Sequence, residues 1–183
     1  MIFSAIFRYE MKAWLRKPAF YLIAGSCYII PLFLFIGTGG YFDGNIVEET
    51  NTLLFLNSSF QITSFLHLIG KFLLLLLPAI IGTTIYKDFQ HDVISLFYSY
   101  PIDKATYLSA KFSSSFLLVC FLSLLPLLAF ISGELVLGEG NPYITSTSLS
   151  GYIFSYSLII LPNLFVFGLL VFSVVVLFRN IYA

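Results

Sequence analysis

Four apolar stretches, 19–36, 65–86, 112–131 and 151–178, constrain this chain more than anything else in it. Three of them hold no Asp, Glu, Lys or Arg, and the second holds only Lys71. A helix needs about 20 mostly apolar residues to cross the roughly 30 Å hydrocarbon core of a bilayer, so each stretch reads as a membrane span. Barrel strands would alternate apolar and polar residues, whereas Leu73 to Leu77 is five leucines in a row. The whole chain agrees: 59% of its 183 residues are hydrophobic and 10% charged, against about 45–50% and about 25% in soluble domains. Disorder is excluded, because so much apolar surface must be buried. A small soluble domain has too much surface to hide this composition. The first stretch starts too late for a cleaved signal peptide, and no small-residue cleavage site follows it.

The fold class is therefore an all-α membrane protein, a polytopic helical bundle of about four transmembrane helices. An N-terminal interfacial amphipathic helix and a short cytoplasmic helix accompany it. The segments are 1–18 interfacial, 19–36 first span, 37–64 outer loop, 65–86 second span, 87–111 cytoplasmic loop, 112–131 third span, 132–150 outer loop, 151–178 fourth span and 179–183 cytoplasmic end. The net charge of zero says nothing by itself, but its distribution does. Arg8, Lys12, Arg16, Lys17, Lys87, Lys104, Lys111 and Arg179, eight of nine basic residues, fall on one side. Asp43, Glu48, Glu49, Glu134 and Glu139 fall on the other. Basic residues accumulate in cytoplasmic loops, which puts both chain ends in the cytoplasm. Trp14, Tyr21, Tyr86, Tyr98, Tyr107 and Tyr152 near the span ends fit interfacial aromatic belts.

Several features are more than apolar filler. Ser4, Arg8, Lys12 and Arg16 recur every four residues, with Ile2, Phe3, Ile6, Phe7, Ala13 and Trp14 on the opposite arc, which makes 1–18 a basic amphipathic helix. Pro18 breaks it, since proline disfavours helix in the residue before. This helix is either a plain anchor or a lever for a cytoplasmic partner. Glu10 sits amid the apolar arc, where a bare carboxylate is costly; it is expected to contact protein, through Lys17 or another segment. In the loop 87–111, Phe89, Val93, Leu96, Phe97 and Tyr100 share one helical face. Asp88 and Asp92 suit its N-terminal turn, Pro101 ends it, and Asp103 can cap a further helix running into the third span. That short helix either rests on the inner leaflet or docks a cytosolic protein. His67 and Lys71, four residues apart, are candidate intramembrane polar residues, although a lysine close to the outer interface can also snorkel to it. Pro31, Pro78, Pro126 and Pro162 place a kink-prone residue in every span. Cys27 and Cys120 read as small buried hydrophobes, and Asn57-Ser58-Ser59 matches a glycosylation acceptor on the outer side.

Other chemistry is missing from the sequence. There is no phosphate loop of the Gly-x-x-x-x-Gly-Lys-[Ser/Thr] type, no His-Glu-x-x-His zinc signature and no Gly-x-Ser-x-Gly elbow. The spans carry no carboxylates for a proton relay. No metal site, cofactor or catalytic residue is expected in this chain, and nothing in it points to nucleic acid.

The runs Tyr86-Lys87-Asp88-Phe89-Gln90-His91-Asp92, Tyr100-Pro101-Ile102-Asp103-Lys104-Ala105-Thr106-Tyr107-Leu108 and Lys111-Phe112 resemble the cytoplasmic loop of ABC-2-type transporter permeases. The start, Arg8-Tyr9-Glu10-Met11-Lys12 through Arg16-Lys17-Pro18, is similar to that family's N-terminal interfacial helix. Leu161-Pro162-Asn163-Leu164-Phe165, Arg179-Asn180 and Leu56-Asn57-Ser58 are similar to a subgroup whose members often continue into a second membrane half and a C-terminal M1-peptidase-like region. The resemblance covers nearly the whole chain. It implies a bacterial inner-membrane permease that pairs with a second permease unit, as a homodimer or otherwise, and with a separate ABC-type ATPase subunit. ATP would be bound and hydrolysed on that subunit. ATPase closure would reach the spans through the coupling region 88–104, with Asp88, Asp92, Phe97, Pro101 and Lys104 as contact residues. Arg8, Glu10, Lys12 and Arg16 belong to the N-terminal helix, which Glu10 and Arg16 help to hold.

Family permeases have six spans per unit where this chain shows four, and the chain stops five residues past the fourth. It is accordingly expected to be a fragment of a longer permease. Two other classes stay open: a non-transport membrane scaffold or assembly protein docking a cytosolic partner through 87–111, and a small channel.

Overall fold

The computed structural model describes residues 2–42, 55–90, 103–138, 140–145 and 149–178. Among them there are helices and turns and no strand. Four helices are long and apolar enough to cross a membrane: Pro18–Thr38, Ser59–Gln90, Lys104–Leu137 and Leu149–Phe178. The chain is an all-α, polytopic integral membrane protein.

Helix α1 is Ile2–Leu15 and α2 is Pro18–Thr38. The break falls at Arg16-Lys17, where the sequence puts it. Pro18 has no N–H to offer and occupies the first position of α2, where none is needed. The Lys17 carbonyl accepts the first bond of α2, from Phe20 N–H at 3.1 Å. The other end of α2 closes with Tyr41 N–H on Ile36 O and Gly40 N–H on Gly37 O, the two bonds of a Schellman cap. Gly40 carries the positive φ of 75° that this cap requires.

The second span is α3 (Ser59–Leu77), a π-helical turn (Pro78–Gly82) and α4 (Thr83–Gln90). Pro78 removes a backbone donor just where the register widens. The hydroxyls of Thr83 and Thr84 donate back to the carbonyls of Ala79 (2.5 Å) and Ile80 (2.7 Å), the way side chains re-satisfy a proline-interrupted membrane helix. The third span, α5 (Lys104–Leu137), is one continuous helix with Pro126 inside it. Its N-cap is Asp103, whose carboxylate accepts the Thr106 N–H at 3.2 Å, as the sequence suggests. The fourth is α6 (Leu149–Ser155), a π-helical turn (Tyr156–Ile160) directly before Leu161-Pro162, and α7 (Leu161–Phe178). Each helix overruns its apolar window, and α5 begins eight residues before 112. Backbone bonding continues past the hydrocarbon edge, since helix formation needs no lipid, only good propensity and a cap.

The chain divides into two compact units. One comprises 1–21, 73–121 and 163–183. Its core includes Phe20, Leu77, Ile81, Ile85, Leu118 and Leu164, with Phe112 edge-on to Phe165 and Phe172 at centroid distances of 6.2 and 5.1 Å. The other comprises 22–72 and 122–162. It is built around Phe35, Phe65 and Phe130, whose rings lie 5.4–6.2 Å apart. Its polar groups pair across helices: Tyr28 with Ser132 (2.9 Å), Thr63 with Ser155 (2.9 Å) and Ser123 with Tyr156 (2.8 Å). Such bonds hold membrane helices together where lipid supplies no hydrophobic drive. Cys27 and Cys120 form no disulfide.

Candidate functional site: a buried charge cluster joining three helices

The only carboxylate of α1 governs the first unit. Glu10 is 1% exposed and lies on the face of α1 that also buries Trp14. Its Oε2 meets Lys87 Nζ of α4 at 2.6 Å, and its Oε1 meets Lys111 Nζ of α5 at 2.6 Å. Lys17, the local alternative from sequence, is not the partner. It lies beyond the last turn of α1, with its ammonium 4.1 Å from the centre of the Trp14 ring. Helical spacing does not carry past a helix end.

Lys111 is the hub. Besides Glu10 it contacts Asp88 Oδ2 at 2.5 Å and donates to the Thr84 carbonyl at 3.2 Å. An ammonium has three N–H donors, and all three are used. Asp88 also accepts a bond from the Tyr107 hydroxyl. Trp14 Nε1 donates to Thr84 Oγ1 at 3.1 Å, next to the carbonyl that Lys111 uses. Two carboxylates and two ammoniums cancel in charge. Burying Glu10, Asp88 and Lys111 is tolerable only with such pairing. Among the described residues no buried side-chain nitrogen or oxygen lacks a partner.

The candidate residues from sequence are distributed as follows. Asp88 is buried inside the cluster, where it ties α4 to α5. Lys104 is exposed at the first position of α5, Arg8 and Lys12 are exposed on α1, and Arg16 is exposed just past its end. Asp92, Phe97 and Pro101 lie outside the described residues, as does most of the proposed coupling helix. His67 and Lys71 are exposed on α3. Sequence reasoning missed Lys87, Lys111, Tyr107, Thr84 and Trp14 as members of the cluster. The signal was Glu10 itself: a lone acid on an apolar arc demands bases on other segments, and Lys87 and Lys111 end and open neighbouring spans.

In the second unit a carboxylate is held in a similar way. Glu134, which charge alone puts in the outer loop, lies within α5, 5% exposed, and accepts a bond from the Tyr152 hydroxyl. Nearby segments are pinned by amides. Asn57 Nδ2 donates to Thr145 O at 2.7 Å, Thr145 N–H returns to Asn57 Oδ1 at 3.0 Å, and Leu56 N–H donates to Tyr143 O at 2.8 Å. Asn57 is 4% exposed, and its amide nitrogen is engaged. That corrects the glycosylation reading of Asn57-Ser58-Ser59, because the acceptor nitrogen is not presented. No group of three or more metal-ligating side chains forms among the described residues.

Comparison with known proteins gives one result. Residues 46–182 match the family described as ABC-2 family transporter protein. No curated protein and no solved structure matches the chain.

Proposed function

The chain belongs to the ABC-2 transporter family, and from that premise we propose that it is the membrane-spanning permease component of an ATP-driven exporter. A separate ABC-type ATPase subunit binds and hydrolyses ATP; this chain is not itself an enzyme and moves the substrate. It works beside a second permease unit, in a homodimer or with a companion chain. It resides in a bacterial inner membrane with both chain ends in the cytoplasm, which the distribution of its basic residues favours.

The observation that carries this reading is the Glu10–Lys87–Lys111–Asp88 cluster. The coupling segment 88–104 leaves the cluster at Asp88 and returns just before Tyr107, which closes onto Asp88. A push on that segment reaches α4 and α5 at the residues that bind them to each other. Through Glu10 it reaches α1 as well. Asp92, Phe97, Pro101 and Lys104 supply the surface for the ATPase, and Asp88 acts behind them as a positioning residue. Arg8, Lys12 and Arg16 seat α1 on anionic headgroups.

The test is coexpression with an ABC-type ATPase subunit from the same organism. The two are expected to copurify, and substrate is expected to stimulate ATP hydrolysis. Phe97→Asp puts a charge on the apolar face of the coupling segment and should abolish that stimulation while the complex still assembles. Stimulation equal to the unaltered chain would overturn the reading.

A further inference from the structure

Of the nine basic residues, Lys71 alone lies within an apolar span. It is exposed, together with Ser64, His67, Leu68 and Phe72, all on one face of α3. His67 and Lys71, four residues apart, are neighbours there, with Cβ atoms about 5–6 Å apart by helical geometry. Among the described residues neither takes part in an ion pair. A cation facing out of a membrane bundle is costly unless something anionic meets it.

Depth and shape say what that is. His67 lies twenty residues from Lys87, about 30 Å at 1.5 Å per residue, which is the thickness of the hydrocarbon core. With Lys87 at the inner boundary, His67 stands at the outer one and Lys71 a turn beneath it, within snorkelling reach of headgroups. Toward the centre of the span the same face turns apolar, through Phe72. A cationic head above an apolar strip complements one kind of molecule, an anion with a hydrocarbon tail. A second copy of this chain seated on the strip would set one Lys71 against another.

We propose that this face of α3 is a binding site for an anionic phospholipid of the outer leaflet. Lys71 and His67 hold its phosphate, and an acyl chain lies along Leu68 and Phe72. The leaflet rests on the orientation proposed above; the site's chemistry does not. Elsewhere the outer segments carry acidic residues and repel such a lipid, so the site concentrates at this face.

Lipid retention by the purified full-length chain tests this without ATP or ATPase, so it stands or falls separately from the transport reading. The chain is equilibrated with detergent micelles of phosphatidylglycerol or phosphatidylcholine, and bound lipid is counted by mass spectrometry of the intact protein. The chain should prefer phosphatidylglycerol about fivefold, the factor typical of one lysine at an anionic surface. Lys71→Gln should lower the preference about fivefold and Lys71→Arg keep it. Because α1 can also bind anionic lipid, the comparison is repeated in an Arg8→Gln/Lys12→Gln/Arg16→Gln background, where Lys71→Gln should remove what preference remains. Equal retention of the two lipids, or a preference unchanged by Lys71→Gln, overturns the proposal. So does displacement of bound phosphatidylglycerol by inorganic phosphate, which would make this a site for free anions.

Discussion

Glu10 and Lys111 stand 101 positions apart in the chain and meet at 2.6 Å, with side chains only 1% and 4% exposed. Breaking such a buried pair by removing one partner leaves an uncompensated charge and costs about 3–5 kcal/mol, whereas replacing both partners by apolar groups can be nearly neutral. Lys111→Met should therefore lower thermal stability strongly, since it strips a base from two buried carboxylates at once. The double variant Glu10→Gln/Lys111→Met should recover much of that loss. Thermal unfolding of the four chains in one detergent forms the cycle. Additivity within about 0.5 kcal/mol would mean that the two residues act independently.

Trp14 is the chain's one tryptophan and reports directly on α1. Its indole is 6% exposed, bonded to Thr84 and covered by Lys17. Glu10→Ala removes the anchor of α1, so the emission of Trp14 should shift to the red and become accessible to acrylamide. Thr84→Val removes only the indole's acceptor. It should cost on the order of 1 kcal/mol and leave the emission blue. Unchanged emission after Glu10→Ala would show that α1 stays docked without its carboxylate.

The contrast between those two residues also shows what a sequence can disclose here. The four spans and the break at Pro18 follow from constraints that act locally: hydrocarbon thickness, helical period and the missing proline N–H. Asp103 as the cap of α5 is local too. The need of Glu10 for a partner was readable from its place on the apolar arc. The partner was not, because Lys87 and Lys111 reach it only through tertiary packing, and no periodicity connects residues on three helices. Prolines 78 and 162 were plain as interruptions, yet the π-helical turn at Pro78 goes with the Thr83 and Thr84 hydroxyls reaching the carbonyls of Ala79 and Ile80. Glu134 misled for a related reason. Its charge suggests an aqueous loop, while the Tyr152 hydroxyl makes a buried position tolerable.

Asn57 should carry no glycan even when the chain is made in a glycosylating host. Its Nδ2 is spent on Thr145 O, and an enzyme would have to pull that clamp apart. Intact mass before and after glycosidase treatment should be identical. Asn57→Asp turns a donor into a second acceptor facing a carbonyl at 2.7 Å. It should destabilise the chain by about 1–3 kcal/mol, read as a lower midpoint of unfolding. A glycosylated product would refute the clamp.

Two glycines should respond to alanine with opposite signs. A Cβ on Gly133 would stand 2.7 Å from Cδ1 of Phe35, a ring that is fully buried, edge-on to Phe65 and tilted against Phe130. That ring cannot move without disturbing its neighbours, so Gly133→Ala should destabilise by about 1–3 kcal/mol, as overpacking does. Close approach of this kind is the usual reason for a small residue between membrane helices. A Cβ on Gly25, in α2, meets nothing within 4 Å among the described residues. There alanine only restricts the unfolded chain and improves helix propensity, worth about 0.5–1 kcal/mol in favour of the folded state. Unfolding midpoints of the two variants, measured side by side, should fall on either side of the unaltered chain. Shortening the obstructing ring supplies the control: Phe35→Leu in the Gly133→Ala background should return part of the loss, and failure to do so would locate the damage elsewhere than at this contact.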